Sequence, residues 1–372
     1  MPDVGSITST VVWAGFGLGV IFGFFANKTN FCTMGAISDV VNMGDWGRMR
    51  AWLMAIGIAI LGTNILAYTG AINLTKTIYT GQNFTWLAYI VGGLCFGVGM
   101  TLASGCGNKT LVRVGGGNLK AVVVFMYMGY AAFVTLKGIF AVFRVNVLQA
   151  PAVTMQLPTH QTLPHLLQGS IGMELATLQI ALAVIISVAL IAFAVLNKSF
   201  WENKDNFIAG LVIGGVVVAG WYITGKIGWA ENPDTLEEMA FGTNSKLLES
   251  MSFIAPTAYT LELWSYWTDT STVVTWGIAI VFGVGIGSFL YAVATKSFRW
   301  EHFISAQDMF RHIIGAVLMG FGGVTAMGCT IGQGITGFST LSLGSILATI
   351  SIVVGATATM KYEYMRMMRE AG

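Results

Sequence analysis

Three of the four cysteines in this chain close a repeated pattern. Gly97–Cys106 (GVGMTLASGC), Gly320–Cys329 (GFGGVTAMGC) and Gly23–Cys32 (GFFANKTNFC) share one glycine-to-cysteine spacing, and the first two also keep Ala and Gly before the thiol. Each cysteine opens a short polar, glycine-containing segment. Thr33 follows Cys32, Gly107, Asn108, Lys109 and Thr110 follow Cys106, and Thr330 and Gln333 follow Cys329. A thiol is a weak donor and a polarizable partner for a soft atom, whereas backbone N–H and hydroxyl groups serve hard oxygens. That pairing suits a small oxyanion with one soft sulfur, thiosulfate first, and requires no oxidation of the thiols. Lys109 and Arg113 would raise the local anion concentration, or serve only to fix topology. Asn108 and Gln333 would bind the anion or cap backbone. Cys95, in GLCFG and off the shared spacing, reads as a small core residue.

The elements that must hold these residues are transmembrane helices. The 372 residues are 55% hydrophobic and only 10% charged, with a mean hydropathy of +0.72, unlike a soluble domain of this size. Apolar stretches of about 20 residues, enough to cross hydrocarbon, recur throughout. Nine spans are expected, at 11–27, 50–72, 84–104, 119–143, 172–196, 207–225, 273–295, 311–328 and 342–360, giving an all-α polytopic membrane protein. Met1–Thr10 carries Asp3 and no Lys or Arg, so it lacks the basic start of a cleaved signal peptide, and the first span is expected to be retained.

Basic residues sort the loops. Arg48 and Arg50, Lys109, Arg113 and Lys120, Lys198 and Lys204, Lys296, Arg299 and Arg311, and Lys361, Arg366 and Arg369 all fall inside if the N-terminus is outside and the C-terminus inside. The acidic connection 226–271, with Glu231, Asp234, Glu237, Glu238, Glu249, Glu262 and Asp269, is then outside. So is 144–171, whose Pro151, Pro158 and Pro164 suggest a segment lying along the interface.

All six prolines, Pro2 among them, lie outside the proposed spans, so helix breaks within the membrane fall to the 47 glycines. They are densest at 92–117, 210–228 and 315–344. The segments NFCTMGAIS, SGCGNKTLVRVGGG and MGCTIGQGITG are candidate re-entrant half-helices, since irregular backbone survives at membrane depth only where it is buried in protein or lines a cavity. Their N-terminal amides favour an anion. Half-repeats at 11–143 and 207–360, joined by the span 172–196, would make the second half inverted. AGFGLG at 14–19 and AGLVIG at 209–214 match more weakly.

Other classes have little support. Four cysteines with no CxxC pair do not make a disulfide or zinc framework, and His160, His165, His302 and His312 are scattered. No nucleotide-binding loop, basic nucleic-acid footprint or cofactor motif is present in the sequence, so neither nucleic acid nor a cofactor is expected.

The motifs NFCTMGAISDV, SGCGNK and MGCTIGQGITG, in that order, resemble those of the YeeE/YedE family of bacterial membrane proteins, and the resemblance covers essentially the whole chain. It implies thiosulfate uptake across the inner membrane through a nine-span fold with short embedded helices and inverted pseudo-symmetry. It also implies a path through Cys32, Cys106 and Cys329 and a cytosolic partner resembling the small TusA-type sulfur carriers. The anion would pass Cys329 from outside, then Cys106, and leave past Cys32. The long outer segments 144–171 and 226–271 depart from the family pattern. Relatives handle selenium or other sulfur species, so sulfite, selenite and a persulfide stay open as cargo. The rival from another class is a membrane sulfurtransferase with a low-pKa thiolate, helped by Lys109 or a helix N-terminus; the expected reading is transport and not enzymatic turnover.

Overall fold

The fold is that of a computed structural model, which describes residues 4–233 and 235–371; Met1, Pro2, Asp3 and Asp234 of the sequence readings lie outside the described residues. The protein is an all-α polytopic membrane protein. Its helices are α1 (Val4–Lys28), α2 (Thr33–Met43), α3 (Gly47–Tyr68), α4 (Trp86–Leu102), α5 (Gly107–Gly115), α6 (Leu119–Lys137), α7 (Ile139–Phe143), α8 (Leu163–Ile171), α9 (Leu175–Val195), α10 (Lys198–Glu202), α11 (Lys204–Tyr222), α12 (Ile254–Ser265), α13 (Trp276–Ala294), α14 (Ala306–Thr325) and α15 (Leu343–Ala371). Two small antiparallel ribbons complete it, β1 (Asn83–Phe84) with β2 (Met155–Gln156) and β3 (Trp229–Glu231) with β4 (Glu238–Ala240).

Glycine sets how closely these helices approach. Gly15, Gly19 and Gly23 share one face of α1 and meet α13, where a Cβ on Gly19 would lie 2.7 Å from the Ile280 carbonyl oxygen. Gly99 of α4 and Gly315 of α14 meet likewise, each Cβ position 2.6 Å from the other's carbonyl oxygen. Lipid offers no hydrophobic gain for such pairing, so close backbone packing supplies the attraction. The outward faces carry exposed apolar side chains such as Trp13, Ile185, Val188, Phe289 and Val354.

Among the described residues eight helical stretches are long and apolar enough to cross a membrane. The expected span 311–328, which is not among these eight, corresponds to α14, whose first turns carry Asp308, Arg311 and His312 and dilute its hydropathy. It nevertheless packs against α4 and α6 through Ala316, Met319 and Gly320. The expected span 119–143 is interrupted: α6 ends at Lys137, and Gly138 turns the chain into α7 and a π-helical run at Arg144–Leu148.

Contacts also group the loops at two ends. At one, Lys120 pairs with Asp308 at 2.7 Å, Arg50 donates to the Phe193 carbonyl at 2.9 Å, and Leu119 N–H donates to the Glu301 carbonyl at 2.9 Å. At the other, Leu248 N–H donates to the Lys76 carbonyl at 3.0 Å and Leu163 N–H to that of Leu341 at 2.9 Å. The acidic connection is more than a loop: Met251, Phe253, Ile254 and Ala258 are fully buried, and α12 packs against α6, α13 and α14.

Candidate functional site

Each cysteine follows a helix that ends in the same way. The residue two positions before the thiol has a left-handed backbone, Asn30 at φ 51°, Ser104 at φ 56° and Met327 at φ 60°. The next residue then reaches back to a carbonyl inside the helix, Phe31 to Ala26 at 3.0 Å, Gly105 to Met100 at 2.9 Å and Gly328 to Gly323 at 2.7 Å. These are Schellman-type ends, which satisfy carbonyls that a terminating helix would leave unpaired. A non-glycine residue in this conformation costs about 1–2 kcal/mol, so three such ends are held by their surroundings.

The thiols stand where new helical structure begins. Cys32 caps α2 and accepts from Gly35 N–H at 3.4 Å; Cys106 precedes α5 and donates to Asn108 Oδ1 at 2.6 Å; Cys329 accepts from Gly332 N–H at 3.4 Å. The third segment differs from expectation, because Gly332–Gly337 forms a π-helical turn in place of an α half-helix. All three cysteines are free and buried, whereas Cys95 is only half-buried. Cys32 and Cys106 lie next to each other, with Lys109 and Arg113 close to Cys32, and the backbone of Phe253 meets Cys329.

Four of the residues singled out for their spacing carry buried polar atoms with no hydrogen-bond partner among the described residues: Thr33 Oγ1, Asn108 Nδ2, Thr330 Oγ1 and Gln333 Oε1. Thr330 Oγ1 lies beside the Cys106 thiol, but none of its contacts has hydrogen-bonding geometry. Each such atom costs roughly 1–3 kcal/mol, and together they place unused donors and acceptors on all three breaks. Other candidates are occupied locally. Thr110 donates to the Cys106 carbonyl at 3.1 Å, and the other end of the Gln333 amide donates to the Ala326 carbonyl. Lys109 donates to the Asn30 side chain and so ties the first break to the second, and Arg113 donates to the Ser104 carbonyl at 2.7 Å. A Cβ on Gly107 would lie 2.9 Å from Ile254 Cδ1, the mobile end of that side chain.

Several residues of the site carry no signal in the sequence. Phe253, at the start of α12, is fully buried, rests on the Phe22 ring at 5.1 Å, and sits 3.7 Å from the Cβ position of Gly107. Trp52 crowds Gly334, 2.9 Å from its Cβ position, and its indole nitrogen has no hydrogen-bond partner among the described residues. Only the fold brings these distant segments to the thiols. The Asn30 and Ser104 positions fit a helix-ending residue, but Met327 gives no such hint.

A family profile described as Sulphur transport matches residues 28–358 of this geometry, from just before the first break to the last helix. The chain belongs to the sulphur transport family. The YeeE/YedE membership expected from the three cysteine motifs therefore stands. The thiosulfate transporter TsuA of Escherichia coli is 24% identical over 370 residues, covering 97% of this chain and 97% of the relative. The thiosulfate transporter TsuA of Spirochaeta thermophila is 24% identical over 351 residues, covering 93% of this chain and 97% of the relative. Both relatives are named as transporters, which for this sulphur transport family member favours a conduit over an enzyme.

Proposed function

We propose that this protein imports thiosulfate across the bacterial inner membrane through a path lined by Cys329, Cys106 and Cys32, with no covalent bond formed to the thiols. The observation that carries this reading is the convergence of thiols and unpartnered polar atoms on three helix breaks. The soft terminal sulfur of the anion meets polarizable thiols, while its oxygens meet Thr33, Asn108 and Thr330 and the positive first turns of α2 and α5. Those helix ends offset the cost of taking an anion out of water without placing a full cation beside it. Lys109 and Arg113 then draw the anion toward the inner side.

In this reading the N-terminus is outside and the C-terminus inside, because that orientation puts the basic clusters of the sequence on the inner side. The anion is handed to a cytosolic carrier of the TusA type. Sulfur assimilation is the use such an import would serve.

Uptake of radiolabelled thiosulfate by cells lacking other thiosulfate importers tests the proposal. Cys106→Ala is expected to lower uptake at least tenfold, about 1.4 kcal/mol in the barrier, while the protein still accumulates in the membrane. Unimpaired uptake in that variant would refute the path. Competition by sulfite and selenite separates the alternative cargoes, and intact mass after turnover separates transport from sulfur transfer, since only the latter leaves an extra sulfur atom on the chain.

A further inference from the structure

A separate cavity of about 200 Å³ opens next to the third break, and its walls carry charge that the cysteine path does not use. Its lining includes Tyr79, Arg144, Glu249, Ser252, Tyr259 and Gly328. Gly328 immediately precedes Cys329. Ser252 and Tyr79 stand over the same break, with Ser252 Oγ 2.8 Å and the Tyr79 hydroxyl 3.6 Å from the Cβ position of Gly332. The floor of the cavity is thus the backbone that presents Cys329. At about 30 Å³ per water there is room for a small oxyanion and several waters.

Arg144 belongs to the π-helical run that follows α7 and is half-buried. Its Nε donates to the Thr135 carbonyl at 3.1 Å and Nη1 to Gln149 Oε1 at 2.9 Å, both neutral acceptors. Among the described residues it has no carboxylate partner. On another wall, Glu249 Oε1 accepts from Ser245 N–H at 2.9 Å and Ser245 Oγ at 2.6 Å, and it has no cationic partner among the described residues. A guanidinium and a carboxylate therefore line one small chamber without pairing, although an ion pair is the ordinary outcome for two such groups. The other groups around Glu249 are neutral or engaged. Tyr79 faces it from the connection between α3 and α4 and Tyr259 from α12, while Glu262, farther along α12, is paired with Lys137 at 2.5 Å.

We propose that this chamber is an outer anion-binding station one step before Cys329, in which Arg144 supplies the charge and Glu249 must carry a proton for the anion to be held. The inference rests on the import path proposed above and adds to it a capture site and a coupling to protons. An ionised Glu249 competes for the guanidinium and repels an oxyanion across a chamber this small, whereas the neutral acid can donate a hydrogen bond to it. Burial pushes the Glu249 carboxyl above the usual carboxylate range, and a bound anion pushes it further in the same direction. Occupancy is then favoured at lower external pH and lost as pH rises through the carboxyl pKa, by up to about tenfold per pH unit for one proton. The proton arrives from the external solution with the anion, and no bond of the anion changes.

Thiosulfate uptake by whole cells is measured at external values of about pH 6 and about pH 8, for wild type, Arg144→Gln, Arg144→Lys, Glu249→Gln and Cys106→Ala. Arg144→Gln is expected to raise KM at least tenfold, with partial recovery in Arg144→Lys, which keeps the charge and loses the planar fork. In Glu249→Gln the ratio of uptake at the lower pH to that at the higher pH is expected to fall toward one. A KM for Arg144→Gln within twofold of wild type overturns the station, and a wild-type pH ratio in Glu249→Gln overturns the proton requirement. If Arg144→Gln fails to reach the membrane, the Glu249→Gln pH ratio and the Arg144→Lys KM decide the matter. Loss of uptake in Cys106→Ala with a normal Arg144→Gln defeats the chamber alone; normal uptake in Cys106→Ala defeats the cysteine path beneath it.

Discussion

A buried hydroxyl with no partner is a cost unless something else uses it, and in this protein Thr33 and Thr330 carry part of that cost at the cysteine breaks. Thr330 and Thr110 provide the contrast. The first has an unpartnered Oγ1 next to Cys106, the second donates its hydroxyl to the Cys106 carbonyl. Replacing Thr330 by Val keeps the shape and removes the orphan, so the melting temperature in detergent is expected to hold or rise, consistent with relief of roughly 1–3 kcal/mol, while thiosulfate uptake falls. Thr110→Val removes a satisfied bond, so its melting temperature is expected to fall. A Thr330→Val protein that melts lower and transports normally would show the hydroxyl to be structural. At this scale the sequence was most informative. The shared spacing alone picked out Cys32, Cys106 and Cys329 and set Cys95 apart, but it could not tell the engaged Thr110 from the orphaned Thr33 and Thr330, because hydrogen-bond satisfaction depends on neighbours far away in the chain.

The helices explain why glycine is so frequent and why only some glycines matter. On α1, Gly17 faces open space, whereas Gly23 meets the backbone of α13 at Val284. Leu at position 17 is therefore expected to be tolerated within about 0.5 kcal/mol. Leu at position 23 must push α1 from α13, which is expected to cost more than about 3 kcal/mol and lower the amount of folded protein in the membrane. Fluorescence-detected size exclusion of the two variants side by side checks this, and equal folded yields would sink the packing argument. Hydropathy and glycine density located most of the long helices, since span length and small-residue faces are local properties, although α1 begins at Val4, before the expected 11, and α15 runs on to Ala371, past the expected 360. They misplaced features set by tertiary contacts. Gly138 ends α6 early, Gly332–Gly337 closes into a π turn instead of a half-helix, and the 226–271 connection, acidic enough to read as an outer loop, inserts the apolar start of α12 into the core.

Across the whole molecule, the neighbours of each helix follow a pattern that supports the proposed inverted halves. Exchanging α1, α2 and α3 with α11, α12 and α13, and α4 and α6 with α14 and α15, carries the principal packed pairs onto one another, apart from α3 with α9. The α1–α13 pair becomes α11–α3, α4–α15 becomes α14–α6, and α2–α15 becomes α12–α6. The same exchange carries Cys106 toward Cys329, and Cys32, which opens α2, toward Phe253, which opens α12. Four helix breaks thus have equivalent places, and the fourth holds an aromatic ring where the others hold thiols. Phe253 meets Cys329 through its backbone, its Cβ lies near Gly107 beside Cys106, and its ring rests on Phe22, which puts an apolar residue between two successive stations of the proposed path. An apolar surface there penalises any ion whose exposed atoms are all hard oxygens, because it takes away hydration and returns no hydrogen bond. An anion with a terminal sulfur loses less, since that sulfur is polarizable and weakly hydrated. Phe253→Ser exchanges the ring for a hydroxyl, so sulfate is expected to compete poorly with thiosulfate uptake in the wild type and at least tenfold better in the variant. Phe253→Leu keeps the position apolar and is expected to preserve the discrimination. If sulfate competes equally with the wild type, Phe253→Ser and Phe253→Leu while all three still transport thiosulfate, the aromatic quadrant plays no part in selection, and the departure from symmetry at α12 is a matter of packing alone.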